Sequence, residues 1–472
     1  MVVPIVEPAP VVLKYAEAFR SVFKDRRQFA HFRNYLTGLM VLDDKSMANI
    51  ARCVVESADK TNLSRFFSES PWAWEKVNQQ RLDYLLQQTK RYSRSADESA
   101  LIIDDTLCEH VGSLFEYVDR HYNHGEGSYP LAHNLVTSHY LSGVVRFPVD
   151  FRLYRRYEEF TRWETFVGQH FPGHEIPTGK KQRQQFHKEV DPVLLQDGEF
   201  AALDAEFKSK IDLASELLAQ AVAHYLPFDV VLFDGWYLAP EFVQAIAERE
   251  KDWVSILKKN RNLETNSFVL KDANGTVLAL PGPHIKVEDL VPRIPAHAYR
   301  QVQVKGQSYW SFARNLRIPG LGKVRLVISF ETAELTGTYV VLVTNRIDWS
   351  AEQILKTYLL RWPRPVGTRT FYQDGKGLLG LDEYRMRKAE AFQKHWSLVF
   401  VAYSFLHLEC LQSSFDNQSV LPLKTIGEAC RQQASALLQA LILSVHHALS
   451  KGESIETVFH RLFAKQSLQF ST

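Results

Sequence analysis

Two short apolar runs that each end in aspartate constrain this chain more than any other feature. Leu101-Ile102-Ile103 leads into Asp104-Asp105-Thr106, and Val230-Val231-Leu232-Phe233 leads into Asp234-Gly235-Trp236. Unbroken apolar runs of this length read as strands buried on both faces, and therefore as central strands of a sheet. Parallel neighbours would bring their acid-bearing ends to one edge, although 129 residues separate Asp105 from Asp234. A single aspartate at a strand end is an ordinary turn cap. Two in this relation can share a metal ion.

The pattern around them fills in the rest of an α/β core. Strand-like runs follow at Leu135 to Leu141 and Val144 to Leu153, then a polar, irregular region from Gly168 to Phe200 that carries Lys180, Lys181, Arg183 and Lys188. An amphipathic helix, with Ile211, Ala214, Leu218, Val222 and Tyr225 on one face, precedes the second acid-bearing strand. Three strands, a helix and a fourth strand match the order of a ribonuclease-H-like mixed sheet.

Helical spacing dominates residues 1–98, with helices predicted over Lys45 to Glu56, Asn62 to Phe67 and from Ser70-Pro71 onward. The first two, with Lys60 and Arg65 beside them, resemble a helix-turn-helix; a plain helical bundle explains the same pattern equally well. Beyond the core, runs at Ser267 to Leu270, Tyr299 to Val304, Tyr309 to Arg317, Val324 to Phe330 and Tyr339 to Val343 predict a β insertion, and helices return from Ala351. The expected organisation is a helical DNA-binding-like domain (1–98), a core in two pieces (99–262 and 345–415), a β insertion (263–344) and a C-terminal helical region (416–472) suited to dimerisation.

Composition narrows the class. The 472 residues carry 56 Lys and Arg against 54 Asp and Glu, a formal charge of +2, so any nucleic-acid surface must be a local patch. Hydrophobic residues at 45% and charged residues at 23% exclude a disordered or coiled-coil chain. Cys53, Cys108, Cys410 and Cys430 show no paired spacing, which suits a reducing cytoplasm. The N-terminal stretch lacks a basic leader pattern and the most apolar segment, Ser397 to Leu408, is short for a bilayer, so no membrane role is expected.

A further pair of segments makes the pattern specific: Tyr358-Leu359-Leu360-Arg361-Trp362-Pro363, and Thr370-Phe371-Tyr372-Gln373-Asp374-Gly375-Lys376. With the two aspartate runs, these closely resemble the DDE transposases of bacterial insertion sequences, in the branch with a β insertion and a Y-x2-R-x3-E-x6-K signature. The resemblance implies metal-dependent cleavage and strand transfer at terminal inverted repeats. Its partners would be double-stranded repeat and target DNA, and the protein would act as a homodimer on nucleoid DNA. It implies Mg2+, with Mn2+ as substitute, held by Asp105 and Asp234. Asp104, a further candidate ligand, is the neighbour that alternation turns to the other side of the strand. Tyr358, Arg361 and Lys376 would meet DNA phosphate. The cluster Lys258, Lys259 and Arg261 would grip DNA near the cut, and Arg65 would contact it from the helix-turn-helix.

One position departs from that pattern. The expected glutamate falls at Pro365 counted forward from Arg361, and at Arg369 counted back from Lys376; Arg364 to Arg369 contain no acid. Neither residue coordinates magnesium, and Asp374 lies about 140° round a helix from the expected place. The sequence therefore predicts a transposase architecture with impaired chemistry. Its rivals are a domesticated, catalytically inactive DNA-binding descendant and a structure-selective nuclease on the same fold. His110, His121, His124, His133 and His139 beside the first acid read as hydrogen-bonded histidines rather than a zinc set. Trp236 and Trp310 read as core residues before stacking platforms.

Overall fold

A computed structural model describes residues 3–55, 60–361, 368–415 and 422–467. The N-terminal layer comprises α1 (Pro10–Tyr15), α2 (Arg26–Val41), α3 (Met47–Cys53), α4 (Lys60–Ser68) and α5 (Trp74–Thr89). The third predicted helix starts later than Ser70-Pro71 implied. Trp72 is buried and its indole N–H donates to the Phe66 carbonyl at 2.7 Å, which holds residues 70–73 extended before the helix can begin.

The chain then enters the sheet. β1 (Ser99–His110) pairs antiparallel with β3 (Leu131–Ser142), which is flanked in turn by β2 (Asp119–Arg120) and β4 (Val145–Tyr154). The segment read as irregular is helical instead: α6 (Tyr157–Phe160), α7 (Trp163–His170), α8 (Lys180–Leu194) and α9 (Gly198–Glu206) enclose a small core of Trp163, Phe166, Val167, Val190, Leu194 and Phe200. Its polar sequence hid it because ion pairs brace the outside, with Arg183 and His187 both bonded to Glu158.

A capping box between Ser209 and Asp212 starts α10 (Lys210–Ala223), which leads to β5 (Val230–Phe233), α11 (Pro240–Ala247) and β6 (Asp252–Ile256). β5 runs parallel to both β1 and β6. A hairpin of β7 (Asn262–Glu264) and β8 (His284–Lys286) and the short α12 (Val287–Leu290) precede β9 (Arg300–Val304), β10 (Gln307–Ile318), β11 (Gly322–Phe330) and β12 (Tyr339–Thr344). Ser267 to Leu270 form no strand: residues 265–267 make a helical turn, and the Ser267 hydroxyl accepts from the Arg317 amide. β12 pairs with β6, so β9–β12 extend the core sheet, giving ten strands in the order β2-β3-β1-β5-β6-β12-β11-β10-β9 with β4 on β3. This is the expected mixed α/β, ribonuclease-H-like arrangement.

Helices cover both sheet faces. α10 and α11 pack on the face that carries Leu101, Ile103, Val231 and Phe233. α13 (Ala351–Tyr358), opened by a Ser350–Gln353 capping box, packs Ile354, Leu355 and Tyr358 against Ala100, Ile102, Val230 and Leu232 on the other. α14 (Thr368–Gly377) follows, and α15 (Ala389–Phe415) runs through the centre between α2, α4, α5, α16 (Ile426–Ser450) and β4; α17 (Ile455–Ser467) ends the described chain. α15 is long and apolar enough to cross a membrane, but most of it is buried among these elements as a core helix.

Candidate metal and DNA site

The acids are separated by strand alternation. In the parallel register of β1 and β5, Ile102 lies beside Leu232. Two residues further on, Asp104 and Asp234 are therefore in step, and both follow the parity of the face covered by α13. Asp105 has the opposite parity and turns toward α10. There its carboxylate accepts from the Lys210 ammonium at 2.7 Å and from the Tyr237 hydroxyl at 3.0 Å. The structure thus brings Asp104 together with Asp234 and gives Asp105 its own partners on the other face.

Asp104 is closely held. Its Oδ2 lies 3.1 Å from Nη2 of Arg361, which is only 2% exposed at the turn that follows α13. Burial pushes the Asp104 carboxyl up to about 6; Arg361 opposes that rise, while the charges of Asp105 and Asp234 add to it. Tyr372 of α14 is half-buried in the same neighbourhood and bonds the Thr137 hydroxyl. Its phenol is held well above its ordinary range by burial first and by the Asp104 charge second. At Asp234, the carboxylate accepts from the Trp236 amide at 2.8 Å and fixes the turn. Gly235 is required there, since a Cβ would stand 2.8 Å from the Ile256 carbonyl oxygen.

The basic residues fall in three places. Lys258 runs beside the Asp234–Gly235 turn, its Cγ 3.4 Å from where a Gly235 Cβ would sit, and is exposed. Lys259 lies 3.9 Å from the Tyr339 ring centroid, and Arg261 closes the same loop through its amide bond to the Lys258 carbonyl. Lys376 donates to the Leu107 carbonyl on β1 and lies 3.8 Å from Asp382. Tyr358 is buried against the sheet, its hydroxyl 3.5 Å from Arg361 Nη1. Arg65 belongs to the N-terminal layer, exposed on α4 and 3.6 Å from Glu69. Of the aromatic candidates, Trp236 is 45% exposed beside Asp234 and not a core residue, and Trp310 is half-buried on β10.

Pro365 lies outside the described residues, and Arg369 falls in the first turn of α14. Asp374, on the same helix, acts on Tyr403, Cys410 and Cys430, so it faces α15 and α16 and not the paired acids. Among the described residues no group of three His, Cys, Asp or Glu side chains converges as a metal cluster. His110 and His133 are instead tied to each other and to the Tyr384 hydroxyl, at 3.2, 2.9 and 2.6 Å. Asp104 and Asp234 are hard oxygen donors on one face. That chemistry fits one magnesium-class ion whose remaining positions are filled by water or phosphate oxygen.

Sequence reasoning missed Lys210, Tyr237 and Tyr372. Tyr237 stands three residues after Asp234 and could have been suspected from that spacing. Lys210 carries no such signal, because only the packing of α10 on β1 brings it to Asp105.

Comparison with known proteins gives the family. A family model described as DDE superfamily endonuclease matches residues 18–275, and one described as transposase DDE domain matches residues 201–405. A curated protein of Microchaete diplosiphon, the "Probable transposase for insertion sequence element IS701", is 25% identical over 288 residues, 60% of this chain and 60% of the relative. The chain therefore aligns with well under two thirds of that relative's length.

Proposed function

Because the chain belongs to the DDE superfamily of endonucleases and transposases, we propose that it is an insertion-sequence transposase that binds terminal inverted repeats and is impaired in cutting and joining DNA. The observation that carries this reading is the shared face of Asp104 and Asp234, with Arg361 and Lys258 beside them and no acid between Arg361 and Asp374. In this reading Asp104 and Asp234 hold Mg2+, or Mn2+ in its place, and Asp105 positions Lys210 and Tyr237 on the opposite side of β1. A divalent ion held there would supply activation of a water or 3′-hydroxyl, or stabilisation of the departing phosphodiester oxygen.

The chain's own residues divide the remaining work. Lys258 and its loop neighbours Lys259 and Arg261 hold the DNA backbone next to Asp234, and Lys376 fixes α14 against β1. Arg65 and the 1–98 region engage the repeat, and the 99–262 and 345–415 pieces form the core around the acids. The 263–344 insertion borders that core, while residues 416–472 support a homodimer on nucleoid DNA in the cytoplasm. Impairment follows from chemistry: with no acid between Arg361 and Asp374, the site lacks the third carboxylate that would balance a pair of doubly charged ions.

That same missing acid favours a second reading, a domesticated DNA-binding descendant without catalysis. Incubating the full chain with duplex carrying the element's ends and Mg2+ or Mn2+ separates the two. Slow, metal-dependent nicking supports the impaired transposase. Tight binding with no nicking in either metal supports the descendant, and absence of DNA binding overturns both.

A further inference from the structure

Arg361 is buried against Asp104, and it is held at the end of α13 by a turn whose amide bonds to the Tyr358 carbonyl at 2.9 Å. Burial by itself would weaken its hold on a proton, but Asp104, then Tyr358 and Asp234, more than compensate, so the guanidinium lies within the field of both acids. An arginine does not leave such a position by losing its proton. It leaves only if another anion accepts it, and a phosphodiester matches its planar fork as well as a carboxylate does. Asp105, by contrast, pairs with Lys210 on the other face.

We propose that Arg361 is the resident counter-ion of Asp104 and exchanges between that carboxylate and a DNA phosphate, so that DNA binding and divalent-ion binding strengthen each other. The inference rests on the DNA-and-metal reading above. On the free chain, the guanidinium and an incoming cation compete for the same carboxylate. With a phosphate nearby, Arg361 moves to it and Asp104 is released. Coupling between two such sites is reciprocal, and typical values are about 5- to 150-fold.

The test measures Mn2+ binding to the full chain by electron paramagnetic resonance, without DNA and with sonicated double-stranded DNA at low salt. Fluorescence anisotropy of the same samples reports DNA occupancy. The expected results are a rise of about fivefold or more in Mn2+ affinity when DNA binds the unaltered chain, and a comparable rise in Arg361→Gln without DNA. In Arg361→Gln, adding DNA should then bring no further gain. Equal Mn2+ affinity for the unaltered chain and folded Arg361→Gln overturns the proposal, as does loss of Mn2+ binding in that variant. If Arg361→Gln does not fold, Arg361→Lys and the unaltered chain decide. The lysine variant should keep the competition and the DNA-linked gain, and absence of that gain in both refutes the exchange. If no sample binds DNA, the functional reading fails, while the DNA-free comparison still tests the counter-ion.

Discussion

Replacing Asp374 with asparagine tests how this chain handles the one acid left in its signature segment. Burial pushes the Asp374 carboxyl up to about 6, from an ordinary value of 3.8. A rise of roughly two pH units at 1.36 kcal/mol each caps the destabilisation of the charged form at about 3 kcal/mol. The side chain is only part-buried, and solvent screening reduces this to about 1 kcal/mol. The sign follows from linkage: the folded state binds this proton more tightly than the unfolded state, so stability falls as pH rises through about 4 to 6. Asp374→Asn removes that penalty. Urea unfolding at pH 8 should show the variant more stable by about 1 kcal/mol, and the gain should vanish near pH 4. Mn2+ binding should be unchanged, because Asp374 acts on Tyr403 and Cys410 and not on the paired acids. Loss of Mn2+ binding, or a stability loss at pH 8, would refute the reasoning and return Asp374 to the metal site.

Other predictions bear on separate parts of the account. Replacing Arg364–Arg369 by Ile-Glu restores the spacing of the signature and should convert slow or absent nicking into robust Mg2+-dependent cleavage of repeat-end DNA. Arg81 is fully buried and donates to the Pro148 and Val149 carbonyls and to Asn78. Arg81→Met should lower unfolding free energy by about 3 kcal/mol in urea titrations, since the carbonyls are left without donors. Lys258→Ala should weaken binding to all duplexes alike and reduce the slope of log affinity against log salt by about one, measured by anisotropy.

Much of the core was legible because burial writes itself plainly into sequence. The runs 101–103 and 230–233 lie in β1 and β5, and the strand order of a ribonuclease-H-like sheet made them neighbours. What alternation leaves open in a doubled aspartate is which member faces which layer. The resemblance favoured Asp105, whereas the register sets Asp104 in step with Asp234, a matter decided by the parity of Ile102 and Leu232. The helices at 157–206 were hidden because they bury few residues and are braced outside by Glu158, Arg183 and His187. Lys210 and Tyr372 were invisible for a different reason: each reaches β1 or β3 only through tertiary packing, and no local period encodes that.

The most direct measurement is Mn2+ binding to Asp104→Asn, Asp234→Asn and Asp105→Asn, each checked for folding by its thermal transition. The account predicts that the first two lose the ion and the third retains it. Retention in Asp104→Asn together with loss in Asp105→Asn would place the site on the α10 face and contradict it.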